Sequence, residues 1–174
     1  AGRPTGRPAL PDLGRRPRDR RVPDENSARA DRGAVFGIFL NACQMGLAGS
    51  RLLLHESIHD EFVQKLAEFT KTWKQGSGLE KDTRMGPLVS KGHHKTVSSY
   101  IEKGKAEGAK LVLGGARPAD GALANGNFLH ATISTDVDPK MTIFREELVG
   151  PVRGETTLSN DAEAECESKG MNAR

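Results

Sequence analysis

His55-Glu56-Ser57-Ile58-His59 has the residue types and spacing of the H-E-x-x-H zinc signature. That chemistry needs two imidazoles one turn apart on one helical face, with the glutamate placed as general base. Here the apolar run Leu52-Leu53-Leu54 puts His55 at a strand end, and Ser57 starts the following helix. The two imidazoles are therefore expected on different elements, and no metal ligand is assigned. His93 and His94 are adjacent, point to different sides of a helix, and read as a solvated helix start. Gly76-Ser77-Gly78 and Gly114-Gly115 do not complete a G-x-G-x-x-G after a strand. No dinucleotide fingerprint is legible there, and no phosphate-binding loop.

The elements that must position such groups follow from periodicity. Val35, Phe36, Ile38, Phe39, Ala42, Met45 and Leu47 make Gly33 to Leu47 an apolar segment with the spacing of a buried helix. Arg51 to Glu56 is a short continuous apolar run that suits a buried parallel strand. Ser57 is expected to cap a helix whose apolar face is Ile58, Phe62, Leu66, Phe69 and Trp73, ended by Gln75-Gly76-Ser77-Gly78. Gly86-Pro87-Leu88-Val89 turns into a second helix capped by Ser90, with Val97, Tyr100 and Ile101 facing inward and Gly108 as its stop. Lys110 to Leu113 reads as a strand, and Phe128 to Val137 as another. The alternation predicts an α/β fold, a layer of parallel sheet covered by helices.

Composition sets the outer limits. Residues 1–32 are dominated by proline, glycine, arginine and aspartate, with apolar residues only singly. Such a segment is expected to be disordered, because it cannot bury enough surface to offset its ordering entropy. The cluster Arg15-Arg16-Pro17-Arg18-Asp19-Arg20-Arg21 could also serve as a nucleic-acid or nuclear-address patch, and Arg7-Pro8-Ala9-Leu10-Pro11 as a polyproline ligand. An arginine-rich transit peptide is a third reading, against which stand Asp12, Asp19, Asp24 and Glu25. Net charge is +3, but aromatics are only 5%, so stacking platforms for nucleic acid are absent and no such partner is expected. No apolar run reaches the roughly 20 residues that span a bilayer. Cys43 and Cys166 do not make a disulfide framework, which points to a reducing, cytoplasmic setting. Residues 153–174 read as a polar tail.

Five separated blocks between about Ala34 and Val152 carry a more specific signal. They are Asn41-Ala42-Cys43-Gln44-Met45-Gly46-Leu47-Ala48-Gly49-Ser50-Arg51, Met85 to Ser90, Tyr100 to Ala109, Thr135-Asp136-Val137, and Arg145-Glu146-Glu147-Leu148-Val149-Gly150-Pro151-Val152. Together they resemble the catalytic domain of the NAD(P)-dependent aldehyde dehydrogenases, with residues 33–152 as the matching segment. The family's active-site pattern is Asn-x-Gly-Gln-x-Cys-x-Ala-Gly-Ser-Arg. Aligning Gln44 and Ala48 to Arg51 puts the family nucleophile at Gly46, while Cys43 stands where the family has glycine.

The resemblance implies oxidation of an aldehyde to a carboxylic acid with NAD or NADP as hydride acceptor, through a cysteine thiohemiacetal. It also implies oligomers formed through this domain. That chemistry needs a thiolate nucleophile, a general base for the thioester and donors for the oxyanion. In this family the base and one oxyanion donor come from upstream blocks that this chain does not contain. Glu147 matches the glutamate that holds the nicotinamide ribose hydroxyls, though a carboxylate paired with Arg145 reads equally well. Val149 stands where the family usually has a phenylalanine against the nicotinamide ring. On a helix, Cys43 would project about 300° away from Gly46 and about 4.5 Å along the axis, too far to replace its thiol.

The expectation is an aldehyde dehydrogenase catalytic-domain fragment lacking its nucleophile, inactive alone, or else a module that pairs with full-length subunits. Zinc titration of the purified chain is expected to show no stoichiometric binding at His55 and His59; one equivalent bound tightly reverses that reading.

Overall fold

The structure, a computed structural model, describes residues 24–119, 121–160 and 162–163. The arginine cluster and the polyproline-like stretch lie outside them. Among the described residues there are five α-helices and four strands: α1 (Asp24–Phe39), β1 (Arg51–His55), α2 (His59–Lys71), α3 (Lys91–Glu107), β2 (Lys110–Leu113), α4 (Gly121–Ala124), β3 (Thr132–Thr135), α5 (Thr142–Arg145) and β4 (Val152–Leu158). The sheet order is β1-β4-β3-β2. β4 pairs in parallel with β1 on one side and β3 on the other, and β2 closes the edge antiparallel to β3. The fold is thus α/β with a mainly parallel sheet, as the alternation of patterns predicts.

α2 forms because Val63, Leu66, Ala67 and Thr70 recur at helical spacing and are all buried. Asp60 and Glu61 in its first turn and Lys71 in its last complement the helix dipole. Ser57 does not cap it. The helix starts at His59 with no side-chain cap, because the Ser57 hydroxyl bonds His55 Nδ1 at 2.9 Å instead. α3 does follow its signals: Ser90 Oγ accepts from His93 N–H at 3.1 Å, and Gly108 ends the helix at φ 110°. Gly104 lets α5 approach α3, since a Cβ there would lie 2.7 Å from Ile143 Cδ1.

Three expectations are corrected. Residues 24–32 are helical rather than disordered. Val35, Ile38 and Phe39 one turn further on are completely buried, so tertiary packing carries the helix back through a segment whose own composition argues against it. Of the expected strand Phe128 to Val137, only Thr132–Thr135 joins the ladder. The expected polar tail is wrong at its start, because Arg153 to Leu158 belong to β4, a strand with neighbours on both sides. A central parallel strand normally reads as continuously apolar; Val152-Arg153-Gly154-Glu155-Thr156-Thr157-Leu158 does not, and so its sequence concealed it.

Residues on β4 alternate between two faces. Register places Leu52, Leu54, Ile133, Arg153 and Glu155 on one face and Leu53, Ser134, Gly154 and Thr156 on the other. α1 and α2 contribute Val35, Ile38, Phe39, Leu66 and Ala67 to the larger core, together with Leu52 and Ile133. Ile143 and Phe144 of α5 pack with Ala109, Val137 and Leu53. No helix among the described residues is long and apolar enough to cross a membrane.

After β2 the chain turns at Gly114, whose φ is 77° and whose missing Cβ would lie 2.1 Å from the Ala131 carbonyl oxygen. Gly114→Ala therefore combines left-handed strain with a backbone clash and should destabilise by about 2–4 kcal/mol. The urea unfolding midpoint measures it.

Candidate active site

The 41–51 segment leaves α1 through a tight turn rather than continuing a helix. Asn41, Ala42 and Cys43 take φ of 54°, 51° and 57°. Each non-glycine side chain in that region costs roughly 1–2 kcal/mol, least for asparagine. Position 43 is thus one where glycine fits without cost, and Cys43 occupies it because its side chain is buried in the main core. The helical offset expected between Cys43 and Gly46 does not apply, since the backbone between them is not helical.

Gln44 clamps the segment. Its Oε1 accepts from Val89 N–H at 2.8 Å, and its Nε2 donates to the Pro87 carbonyl at 3.2 Å. Gly49 N–H reaches back to the Gly37 carbonyl of α1 at 3.1 Å, and Gly154 N–H donates to Ser50 at 3.0 Å, which starts the β1–β4 pairing. Arg51 donates to the Glu146 carbonyl at 3.2 Å, its guanidinium lies over the Phe144 ring at 5.6 Å, and it interacts electrostatically with Glu147. The Tyr100 hydroxyl donates to the Glu146 carboxylate. Four of the five sequence blocks therefore meet at one place: the 41–51 segment, the Pro87–Val89 turn, Tyr100 and the 146–151 loop.

Within that place the two candidate nucleophile positions differ completely. Gly46 is exposed at the tip of the segment, and a Cβ added there meets nothing within 4 Å. Its neighbours Met45 and Leu47 are exposed as well, Leu47 by 93%. Cys43 is 2% exposed and points into the core. Burial pushes its thiol pKa up, against smaller opposing effects from the Gly150 backbone N–H and the Arg153 charge. A raised pKa keeps the thiol protonated at neutral pH, whereas nucleophilic cysteines are thiolates in electropositive, accessible surroundings.

Glu147 and Val149 both lie at the surface of the 146–151 loop. Among the described residues no ion pair joins Glu147 to Arg145; the nearby charge is Arg51. A surface carboxylate at Glu147 fits hydroxyl recognition. Gly114-Gly115, the glycine pair that follows a strand, is closed off by the Ala131 carbonyl at Gly114 and the Leu111 side chain at Gly115, leaving no cradle for a pyrophosphate. A groove of about 540 Å³ lies between α2 and the β2–β3 strands, lined by His59, Val63, Lys71, Lys110 and Asp136 among others, and borders none of Cys43, Gly46, Glu147 or Val149.

His55 ends β1 and His59 begins α2, and no group of three or more metal-ligating side chains is assembled among the described residues. Gln44, Arg51 and Tyr100 hold this site together, yet as isolated residues none carries a chemical signature. Arg153 and Glu155 beneath the segment were missed outright, and the sole hint was their i, i+2 spacing in a run ending with apolar residues.

In a Cys166→Ser background, alkylation of Cys43 by iodoacetamide at pH 8 should be at least about 100-fold slower in the folded chain than in denaturant. Mass spectrometry of timed samples reads the difference.

Residues 22–167 match the sequence profile described as the aldehyde dehydrogenase family. A putative aldehyde dehydrogenase of Bacillus subtilis, DhaS, is 45% identical over 131 residues, covering 75% of this chain and 26% of that protein. A betaine aldehyde dehydrogenase of Brucella anthropi is 42% identical over 131 residues, with 75% and 27% covered. Among solved structures, betaine aldehyde dehydrogenase from Staphylococcus aureus in complex with NAD+ superposes with a TM-score of 0.80 at 37% identity, over 82% of this chain and 28% of that one. The chain thus spans about a quarter of the length of the curated relatives it matches. With residues 22–167 inside the profile and its structure superposing on a solved member, the chain belongs to the aldehyde dehydrogenase family.

Proposed function

We propose that this chain is a catalytic-domain segment of an NAD(P)-dependent aldehyde dehydrogenase of the betaine aldehyde dehydrogenase kind, and that by itself it does not turn over substrate. The observation that carries this reading is the open, side-chain-free position at Gly46, in a segment otherwise held by Gln44 and Arg51. In the whole enzyme the cofactor would supply the hydride acceptor and the substrate would be a small aldehyde. Glu147 would accept hydroxyl hydrogen bonds from the cofactor, and Val149 would line the rim beside it. With no thiol at position 46 there is no group to add to the aldehyde carbon. The Cys43 thiol, protonated and enclosed, is not placed to take over.

A second reading rests on a separate observation. Leu40, Met45, Leu47 and Val149 are large apolar side chains left exposed on or beside the site segments. They suit a face that another polypeptide covers, which favours a module that pairs with intact, full-length family members.

Incubated with betaine aldehyde and NAD+, the purified chain is expected to give no cofactor reduction at 340 nm. Turnover that disappears in Cys43→Ala overturns the inactive reading. Stable co-purification with an intact homologue, at fixed stoichiometry, supports the pairing module; its failure at micromolar concentrations of both leaves only the first.

A further inference from the structure

The face of β4 beneath α1 and α2 carries a group that neither the family chemistry nor the packing explains. Glu155 is completely buried, and neither carboxylate oxygen has a hydrogen-bond partner among the described residues. Its strand neighbours on that face are apolar or uncharged: Leu52 and Leu54 from β1, Ile133 and Thr135 from β3. The charged groups of this layer lie on β4, α2, α1 and the β2–β3 edge. Arg153, 4% exposed, lies two residues back on β4 and interacts with it electrostatically, as does His59 at the start of α2. α2 also carries Glu61 and Lys65, paired with each other at 2.7 Å. α1 brings Asp31, 5% exposed with one carboxylate oxygen unpartnered. Lys110 and Asp136 pair at 2.7 Å on the strand edge.

This layer is mechanically tied to the candidate site. Arg153 Nη1 donates to the Ala34 carbonyl of α1 at 2.7 Å. α1 in turn holds the 41–51 segment through Gly37 and Gly49. Whatever weakens the seat of α1 on β4 therefore loosens the segment that carries Gly46.

We propose that Glu155 is a proton-controlled latch: protonated, it lets α1 and α2 seal over β4, and ionised, it loosens α1 and releases the 41–51 segment. An orphaned carboxylate in an apolar layer is costly, whereas the neutral acid is tolerated. Burial pushes the Glu155 carboxyl up to about 7, with Arg153 and His59 pulling the other way. An acid whose folded value exceeds its unfolded value adds stability at low pH and loses it as pH rises through the folded value. The loss runs from the unfolded 4.5 up to about 7, so docking is firm in mild acid and weak in mild base.

The chain contains its own reporter. Trp73, its single tryptophan, meets Phe36 of α1 edge-on at 5.4 Å and Phe69 of α2 at 6.3 Å. On the full chain, Trp73 emission followed from pH 5 to 9 should shift with a midpoint near neutrality. Hydrogen exchange of α1 and residues 41–50, corrected for intrinsic rates, should quicken about tenfold from pH 6 to pH 8.5, with α3 unchanged. Both changes should vanish in Glu155→Gln and persist in His59→Gln. A flat wild-type titration, or a midpoint that survives in Glu155→Gln, overturns the latch. Should Glu155→Gln and Glu155→Leu both fail to fold, the glutamate carboxyl carbons of the wild type decide by NMR. One titrating near 7 supports the latch, and all titrating between about 3.5 and 5 overturn it.

Discussion

The structure depends on the parallel pairing of β4 with strands on both its sides. β1, β3 and, through β3, β2 have no common sheet without it. A strand in that position is expected to be apolar on both faces, because helices cover it above and below. β4 instead buries Arg153, Glu155 and Thr156. Thr156 is satisfied by the Val137 carbonyl, and Arg153 in part by Ala34, while Glu155 is satisfied by nothing described. The sheet is held by backbone hydrogen bonds and by the apolar residues around β4, against an electrostatic cost inside it.

That arrangement places the candidate site. β1 starts where Ser50 accepts from Gly154, so the 41–51 segment emerges directly above the central strand. Gln44 then ties it to the Pro87–Val89 turn, and Arg51 ties it to the 146–151 loop. Gln44 and Arg51 fix this geometry, whereas Gly46 faces open space. Scaffold and reactive group are thus separable: the scaffold is stabilised by core packing and hydrogen bonds, none of which involves a side chain at position 46. A glycine at position 46 is therefore compatible with the fold, which leans on nothing there.

Asn41, Ala42 and Cys43 form a left-handed turn. A conformation that glycine adopts freely here holds a cysteine, offset by the burial of its side chain among Val35, Ile38, Phe39 and Leu66. Burial that compensates the backbone also withdraws the thiol from solvent and raises its pKa.

Taken alone, the sequence determined the α/β class, the helices α2 and α3, the cap at Ser90 and the stop at Gly108. These rest on local periodicity and cap chemistry, which act within one or two turns. It also determined the family, through short blocks whose spacing is specific even when far apart. Tertiary structure alone decided that residues 24–32 continue a helix, since that helix is held by Val35, Ile38 and Phe39 on α2 rather than by propensity. It alone decided that Arg153 to Leu158 form the central strand, because pairing with β1 and β3 is a long-range backbone property that a polar run does not announce. It also decided that Cys43 faces inward and Gly46 outward: a side chain's direction follows from backbone dihedrals and from what packs behind it, and neither is written in residue identity.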